Sequence, residues 1–227
     1  MSGDGSTPNL IFVDLIHQSL RVDGNRMRDA VGTMNPHHPP SRLAGIRAFF
    51  DEYREQLLLH HRHEDEVFFP ALEARVGADA LRLDELTAQH EQLDAALQVA
   101  GDQLAKLADP TGDFATDRVE AARAFTAMVD HLDTHLRLEE AVALPLFESE
   151  VPVAEYRKLE LAARRATPRP RARFLIPWLV ADATADQQKA LFGSAPPLRI
   201  VYWLNRRRYQ RFARALYPAG HHHITSS

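Results

Sequence analysis

Two segments of this chain set histidine and glutamate four residues apart within apolar helical stripes: LLLHHRHEDEVFFPAL at 57–72 and MVDHLDTHLRLEEAVALPLF at 128–147. Residues four apart on an α-helix share a face, with Cβ atoms about 5–6 Å apart. His60 with Glu64, and His135 with Glu139, therefore each form a pair beside core-type residues such as Leu132, Leu136 and Val142. A carboxylate in an apolar core is costly unless a counter-charge accompanies it. The chain must either turn these faces to water or surround cations with them. In both segments a proline follows the glutamate by six residues, Pro70 and Pro145. That repetition on two separate helices argues against coincidence.

The rest of the pattern is helical. Apolar residues recur at helical spacing, and no alternating β-branched run or Asn-Gly hairpin signal occurs. The spacing predicts four long helices, over 8–34, 41–76, 79–108 and 114–148. Ser41 suits an N-cap and Gly77 the residue after a last turn, and Pro70 should kink the second helix. Short connections make this an all-α, up-down four-helix bundle. Each of the two remaining long helices carries one core-facing histidine, His17 in DLIHQSLR and His90 in LTAQHEQLDAAL. Four helices then supply four imidazoles and two carboxylates, a set suited to two metals bridged by Glu64 and Glu139 and completed by water, oxide or an outside ligand. Imidazole and carboxylate serve iron, manganese and zinc alike, so the donors leave the metal open. Cysteine is absent, which removes disulfides, thiolate ligands and thiol nucleophiles.

HHRHEDEVFFPAL and HLRLEEAVALPLF resemble the second and fourth helices of hemerythrin-like, or HHE cation-binding, domains, including the Leu/Phe-Pro ending after each His/Glu pair. The resemblance covers about residues 8–150. It implies a four-helix bundle around a non-haem diiron centre, with His17, His60, Glu64, His90, His135 and Glu139 as ligands. The chain differs from the oxygen-carrying members at two points. Asp94 stands where they have a second histidine on the third helix, and Glu139 follows His135 by four where they have an aspartate at five. It is thus similar to the carboxylate-rich bacterial and actinobacterial variants. The resemblance, with fewer imidazoles and more oxygen donors, implies binding or activation of dioxygen, peroxide or nitric oxide rather than simple oxygen carriage. An oxidase- or peroxidase-like oxidoreductase is one form of this, with an organic substrate the sequence does not identify.

Other titratable groups have weaker standing. His61 and Asp65 lie about 100° round the helix from His60 and Glu64, and Glu140 neighbours Glu139 likewise. These are expected at the surface or as partners of ligands, with a His61/Asp65 register as an alternative. Asp94 and His131, each one turn from a ligand histidine, are candidates for an additional ligand or an orienting group, as is the phenol of Tyr53. His63, Glu66, His37, His38 and His221–His223 are expected in solvent.

Charge divides the chain. Residues 1–163 hold 15 Lys and Arg against 29 Asp and Glu, and residues 164–227 hold 12 against 2, so −14 faces +10. The organisation expected is a flexible start (1–7), the bundle (8–150), a basic extension (151–217) with short helices at 171–181, 184–192 and 197–216, and a flexible tail (218–227). The extension either docks on the acidic bundle, lies on an anionic membrane, or contacts nucleic acid or a protein. Its apolar face of Ile200, Trp203, Leu204, Phe212 and Leu216 favours packing, and no strong nucleic-acid signal is present. No apolar run of about 18 residues and no charged-then-apolar leader occurs, so a cytoplasmic protein is expected.

Overall fold

The computed structural model describes residues 7–217; the chain ends expected to be flexible, with His221–His223, lie outside the described residues apart from Thr7. Four helical rods close a square: α1 (Ile11–Gly32), α2 (Pro40–His63) with its continuation, α5 (Leu83–Leu107) and α6 (Phe114–Glu150). Each packs on its neighbours in chain order, and α6 returns to α1. Among the described residues there is no strand, and no helix is long and apolar enough to cross a membrane.

The second rod departs from a simple kinked helix. α2 leads into a π-helical turn, Glu64–Phe68, and then α3 (Phe69–Val76). Pro70 is the cause that the local chemistry offers. Its ring would clash with the carbonyl four residues back and it has no N–H to donate. The wider turn, in which the Phe69 N–H reaches the Glu64 carbonyl, accommodates it. Gly77 ends α3 at φ +83, where a side chain would be strained. Its N–H bonds Glu73 O at 2.8 Å. The start at Ser41 is corrected: Pro40 takes the first helical position, where its missing N–H costs nothing. The third rod is broken too. Arg82, in the left-handed region, separates α4 (Ala78–Leu81) from α5.

Beyond α6 the chain forms α7 (Val153–Ala166), α8 (Arg169–Ala181), α9 (Ala185–Ser194), α10 (Leu198–Ala213) and a 3-10 turn, Arg214–Leu216. α8 is sunk into the assembly: Ile176, Trp178, Leu179 and Val180 share one apolar cluster with Leu20, Phe49 and Tyr53 of the bundle. The charge asymmetry appears as contacts of Arg171 with Glu52 at 3.2 Å and Glu55 at 2.8 Å. The Trp178 indole N–H donates to Asp23 at 2.7 Å. The expected apolar face of α10 divides. Leu216 is buried, whereas Ile200, Trp203 and Leu204 are 65–68% exposed.

Gly45 on α2 is where the last turn docks. A Cβ there would stand 2.6 Å from the Ala215 Cβ. Gly45→Leu should therefore push the Arg214–Leu216 turn off α2 and destabilise the protein by about 1–3 kcal/mol, the usual cost of overpacking. Thermal unfolding and tryptic cleavage near Arg211 and Arg214 measure this; unchanged stability and cleavage would show that the docking is not tight.

Candidate metal centre

The predicted pairs meet between two apolar clusters. One is built on Leu57, Leu93, Leu97 and Leu132, and the other on Phe69, Leu72, Leu86 and Ala143. His17, His60, Glu64, His90, His135 and Glu139 are all at least nine-tenths buried. They fall into two groups. His17, His60, Glu64 and Glu139 each offer an atom within 4.8 Å of the others, and so do His61, His90 and His135.

The carboxylates join the groups. Glu64 reaches His60 Nε2 at 3.0 Å with one oxygen and His90 Nε2 at 3.4 Å with the other. Glu139 Oε2 lies 3.2 Å from His17 Nε2 and 3.8 Å from His135 Nε2. A group that touches both sets of imidazoles stands where a bridging ligand would.

His61 was expected at the surface or as a partner of ligands, with a His61/Asp65 register as the alternative; the structure buries it among the imidazoles and gives Asp65 to His90. His61 is 3% exposed, its ring stacks on His90 with centroids 4.0 Å apart, and the His135 ring is 5.3 Å away. Adjacent helical residues point about 100° apart. If the line to the bundle axis bisects them, each deviates only about 50° and both face inward. His60 then serves one group and His61 the other. The site thus gathers five imidazoles, and the premise of a histidine-poor donor set does not hold.

The outer ring nitrogens show why three of these imidazoles are fixed, whereas His135 Nδ1 is buried without a partner among the described residues. His17 Nδ1 lies 3.0 Å from Glu140, which Arg21 grips with two hydrogen bonds at 2.6 and 2.9 Å. His61 Nδ1 lies 3.1 Å from Asp94, and His90 Nδ1 lies 3.1 Å from Asp65. At His61 and His90 a carboxylate on the far nitrogen holds the proton there, so Nε2 presents its lone pair inward, as metal-binding histidines require; at His17 Glu140 does the same once the second proton has left Nε2. Asp94 thus orients His61. Two further candidates do not come to the site. The Tyr53 hydroxyl donates to Leu20 O at 3.0 Å, and the ring packs on Trp178. His131 is exposed. Four residues exceed a full turn by about 40°. Glu139 advances toward the core from His135, and His131 recedes from it by the same angle.

Burial and charge set the protonation. Burial disfavours the His17 cation, but Glu139 and Glu140 outweigh it and raise His17 to about 9. Burial depresses His60 well below its usual value, His90 to about 4 and His135 to about 3. Burial beside Glu139 raises Glu64 well above the carboxylate range. Burial also works against the Glu139 charge, yet His17, His60 and His135 hold it well below that range. Burial opposes the Glu140 charge too, and His17 with Arg21 lowers it to about 2.

The five Nε2 atoms, both Glu64 oxygens and Glu139 Oε2 are buried without a well-directed hydrogen bond among the described residues. So many orphaned donors at one point would be expensive if nothing shared them. All are first-rate ligands for a borderline cation. The donor set fits metal. One flank of the site, at His60, Glu64 and Glu139, borders a cavity of about 300 Å³. Sequence reasoning missed that cavity, because its walls consist of side chains that look like core.

The model of the hemerythrin HHE cation-binding domain matches residues 10–147. No curated protein and no solved structure matches the chain.

Proposed function

Because the chain belongs to the hemerythrin HHE cation-binding family, and is on that ground a metal-binding domain, we propose that its convergent donors hold two iron ions and that the centre binds or activates a small oxygen species: dioxygen, peroxide or nitric oxide. The observation that carries this is the pair of imidazole groups joined by Glu64 and Glu139. Two irons held there would supply redox equivalents and an open coordination position to the small molecule. The protein residues do the rest. His17 and His60 stand on one side, and His61, His90 and His135 on the other. Asp65, Asp94 and Glu140 keep the imidazole lone pairs inward. The apolar clusters exclude bulk water.

A reacting centre must recycle. Chain lacking His221–His223, loaded with iron without oxygen, should change its visible spectrum on addition of peroxide and return through repeated cycles with reductant. A single stoichiometric change without recovery favours a second reading, an iron- or oxygen-responsive module that acts through its extension. The feature favouring that alternative is the outward face of α10, where Ile200, Trp203 and Leu204 stand beside arginines, with Arg206 5.9 Å from the centroid of the Trp203 ring. Failure to bind iron defeats both readings.

Metal uptake should release protons. His17, raised to about 9, carries a second proton at pH 7 in the metal-free protein, and burial beside Glu139 favours the protonated form of Glu64; both groups must give up such protons to ligate. A pH-indicator dye in weak buffer should record about one proton per chain from His17 on loading, with any Glu64 proton added to it. Apparent affinity should rise with pH through neutrality, by up to about tenfold per pH unit for each proton released. Loading without acidification would contradict this protonation pattern.

A further inference from the structure

The cavity beside the centre is larger than a diatomic gas or peroxide needs. At about 300 Å³ it falls at the lower end of the range for small-molecule sites, about 300–1,000 Å³. Its inner end is His60, Glu64 and Glu139, and its outer part is built by the extension, from Ala163 on α7 and Ala172, Leu175 and Ile176 on α8. α7 and α8 thus roof the bundle and leave a hollow where Ala163 and Ala172 are too short to fill it.

One side chain indicates what belongs there. Gln56 is 4% exposed and lines the cavity, yet its Nε2 has no hydrogen-bond partner among the described residues. A buried amide N–H left unpaired costs about 1–3 kcal/mol, so this group calls for an acceptor. Gln56 lies one turn before His60 on the same stripe, so whatever it holds lies beside the metal-binding residues. His63 Nε2, also buried and unpartnered, lines the same space. At the rim, Glu160 and exposed Arg164 approach within 3.7 Å.

We propose that this cavity binds a small, largely apolar organic molecule carrying a carbonyl-type acceptor, which the Gln56 amide holds next to His60 and Glu64. The binding stands on the cavity itself; that the molecule is a co-substrate or modulator of the centre rests on the reading above. Phe12, Ile16 and Leu59 hold its apolar body. Gln56 orients it, a positioning role.

Trp178 lines the cavity, and the chain's other tryptophan, Trp203, is exposed. Trp203→Phe therefore leaves a single reporter. The full chain, as purified and again loaded with zinc, is titrated with 4-bromoacetophenone, a heavy-atom quencher with one carbonyl, and with bromobenzene, which has none. Both should quench Trp178 saturably. Gln56→Leu should weaken the ketone by about tenfold, the effect of one net hydrogen bond of about 1.4 kcal/mol, and leave bromobenzene within about twofold. Ala172→Phe or Ala163→Phe, whichever retains the parent's circular dichroism and unfolding, should abolish saturation for both probes. Quenching that grows linearly without saturating overturns the proposal. So does saturation that survives a filled cavity, or a ketone affinity indifferent to Gln56→Leu. Zinc content is measured separately. A chain that binds no metal but saturates keeps this inference and loses the metal reading, and one that binds metal without saturating does the reverse.

Discussion

Glu64→Gln leaves the metal-free fold about as stable as the parent and removes its ability to hold a pair of ions. The two halves of this expectation have separate causes. In the metal-free protein Glu64 is buried beside Glu139, and burial with that neighbouring charge raises it well above the carboxylate range. Burial thus favours its neutral form, which a glutamine reproduces. Glutamine copies a neutral acid in size and shape, so urea unfolding should shift by no more than about 0.5 kcal/mol, as for a change that makes no cavity and strands no charge. Metal binding needs the anion. Glu64 is one of two groups that approach both imidazole sets, and an amide neither bridges well nor offsets cationic charge. Iron content should drop from two per chain to one or none, with affinity reduced at least about a hundredfold, or about 2.8 kcal/mol. Glu139→Gln should behave differently. Glu139 is ionised and faces protonated His17 at 3.2 Å. Its loss takes away one of the two carboxylates that hold the His17 cation, at about 1.5–3 kcal/mol in the metal-free state, and leaves Glu140 as the other. A Glu64→Gln protein that still holds two irons would refute the bridging role.

Removing metal should lower the melting temperature by about ten degrees. Ligand that binds the native state alone, at 1,000 times its dissociation constant, stabilises by about 4.1 kcal/mol. For a chain of this size each kcal/mol shifts the midpoint by roughly 2–4 °C, so the expected interval is roughly 8–16 °C. The physical source is local. Without a cation, the inward nitrogens and carboxylate oxygens have no satisfactory partners. Metal-free protein should first lose hydrogen-exchange protection around the π turn at Glu64–Phe68, whose backbone pattern departs from the regular ladder, and around 135–139. Calorimetry on chelated and reloaded protein measures the shift, and exchange locates it. A midpoint unmoved by reloading would mean that the donors do not share an ion.

How much of this could be read from the residues follows from geometry. Spacing of four on a regular helix is robust, so His60 with Glu64 and His135 with Glu139 declared themselves, and His17 and His90 followed as single histidines on apolar stripes. His61 did not. Its direction depends on how α2 is rotated about its own axis, which packing decides and local sequence does not. The π turn was visible only as a proline. Where the strain of Pro70 would go, a kink or a wider turn, depends on what α2 and α3 pack against. The cavity was the least legible feature. Ala163, Ala172 and Leu175 are ordinary helical residues, and the hollow among them exists only because α7 and α8 bring short side chains over the bundle there. The opposite charges of the two halves pointed to docking, which Arg171 with Glu52 and Glu55 displays. They did not foretell that α8 would be buried while three of the five residues of the expected apolar face, Ile200, Trp203 and Leu204, turned outward.

The most direct measurement is anomalous diffraction at the iron edge from crystals of iron-loaded protein. Two peaks are expected, one between His17 and His60 and the other among His61, His90 and His135, with Glu64 and Glu139 between them. A single peak, or none at these side chains, would contradict the account.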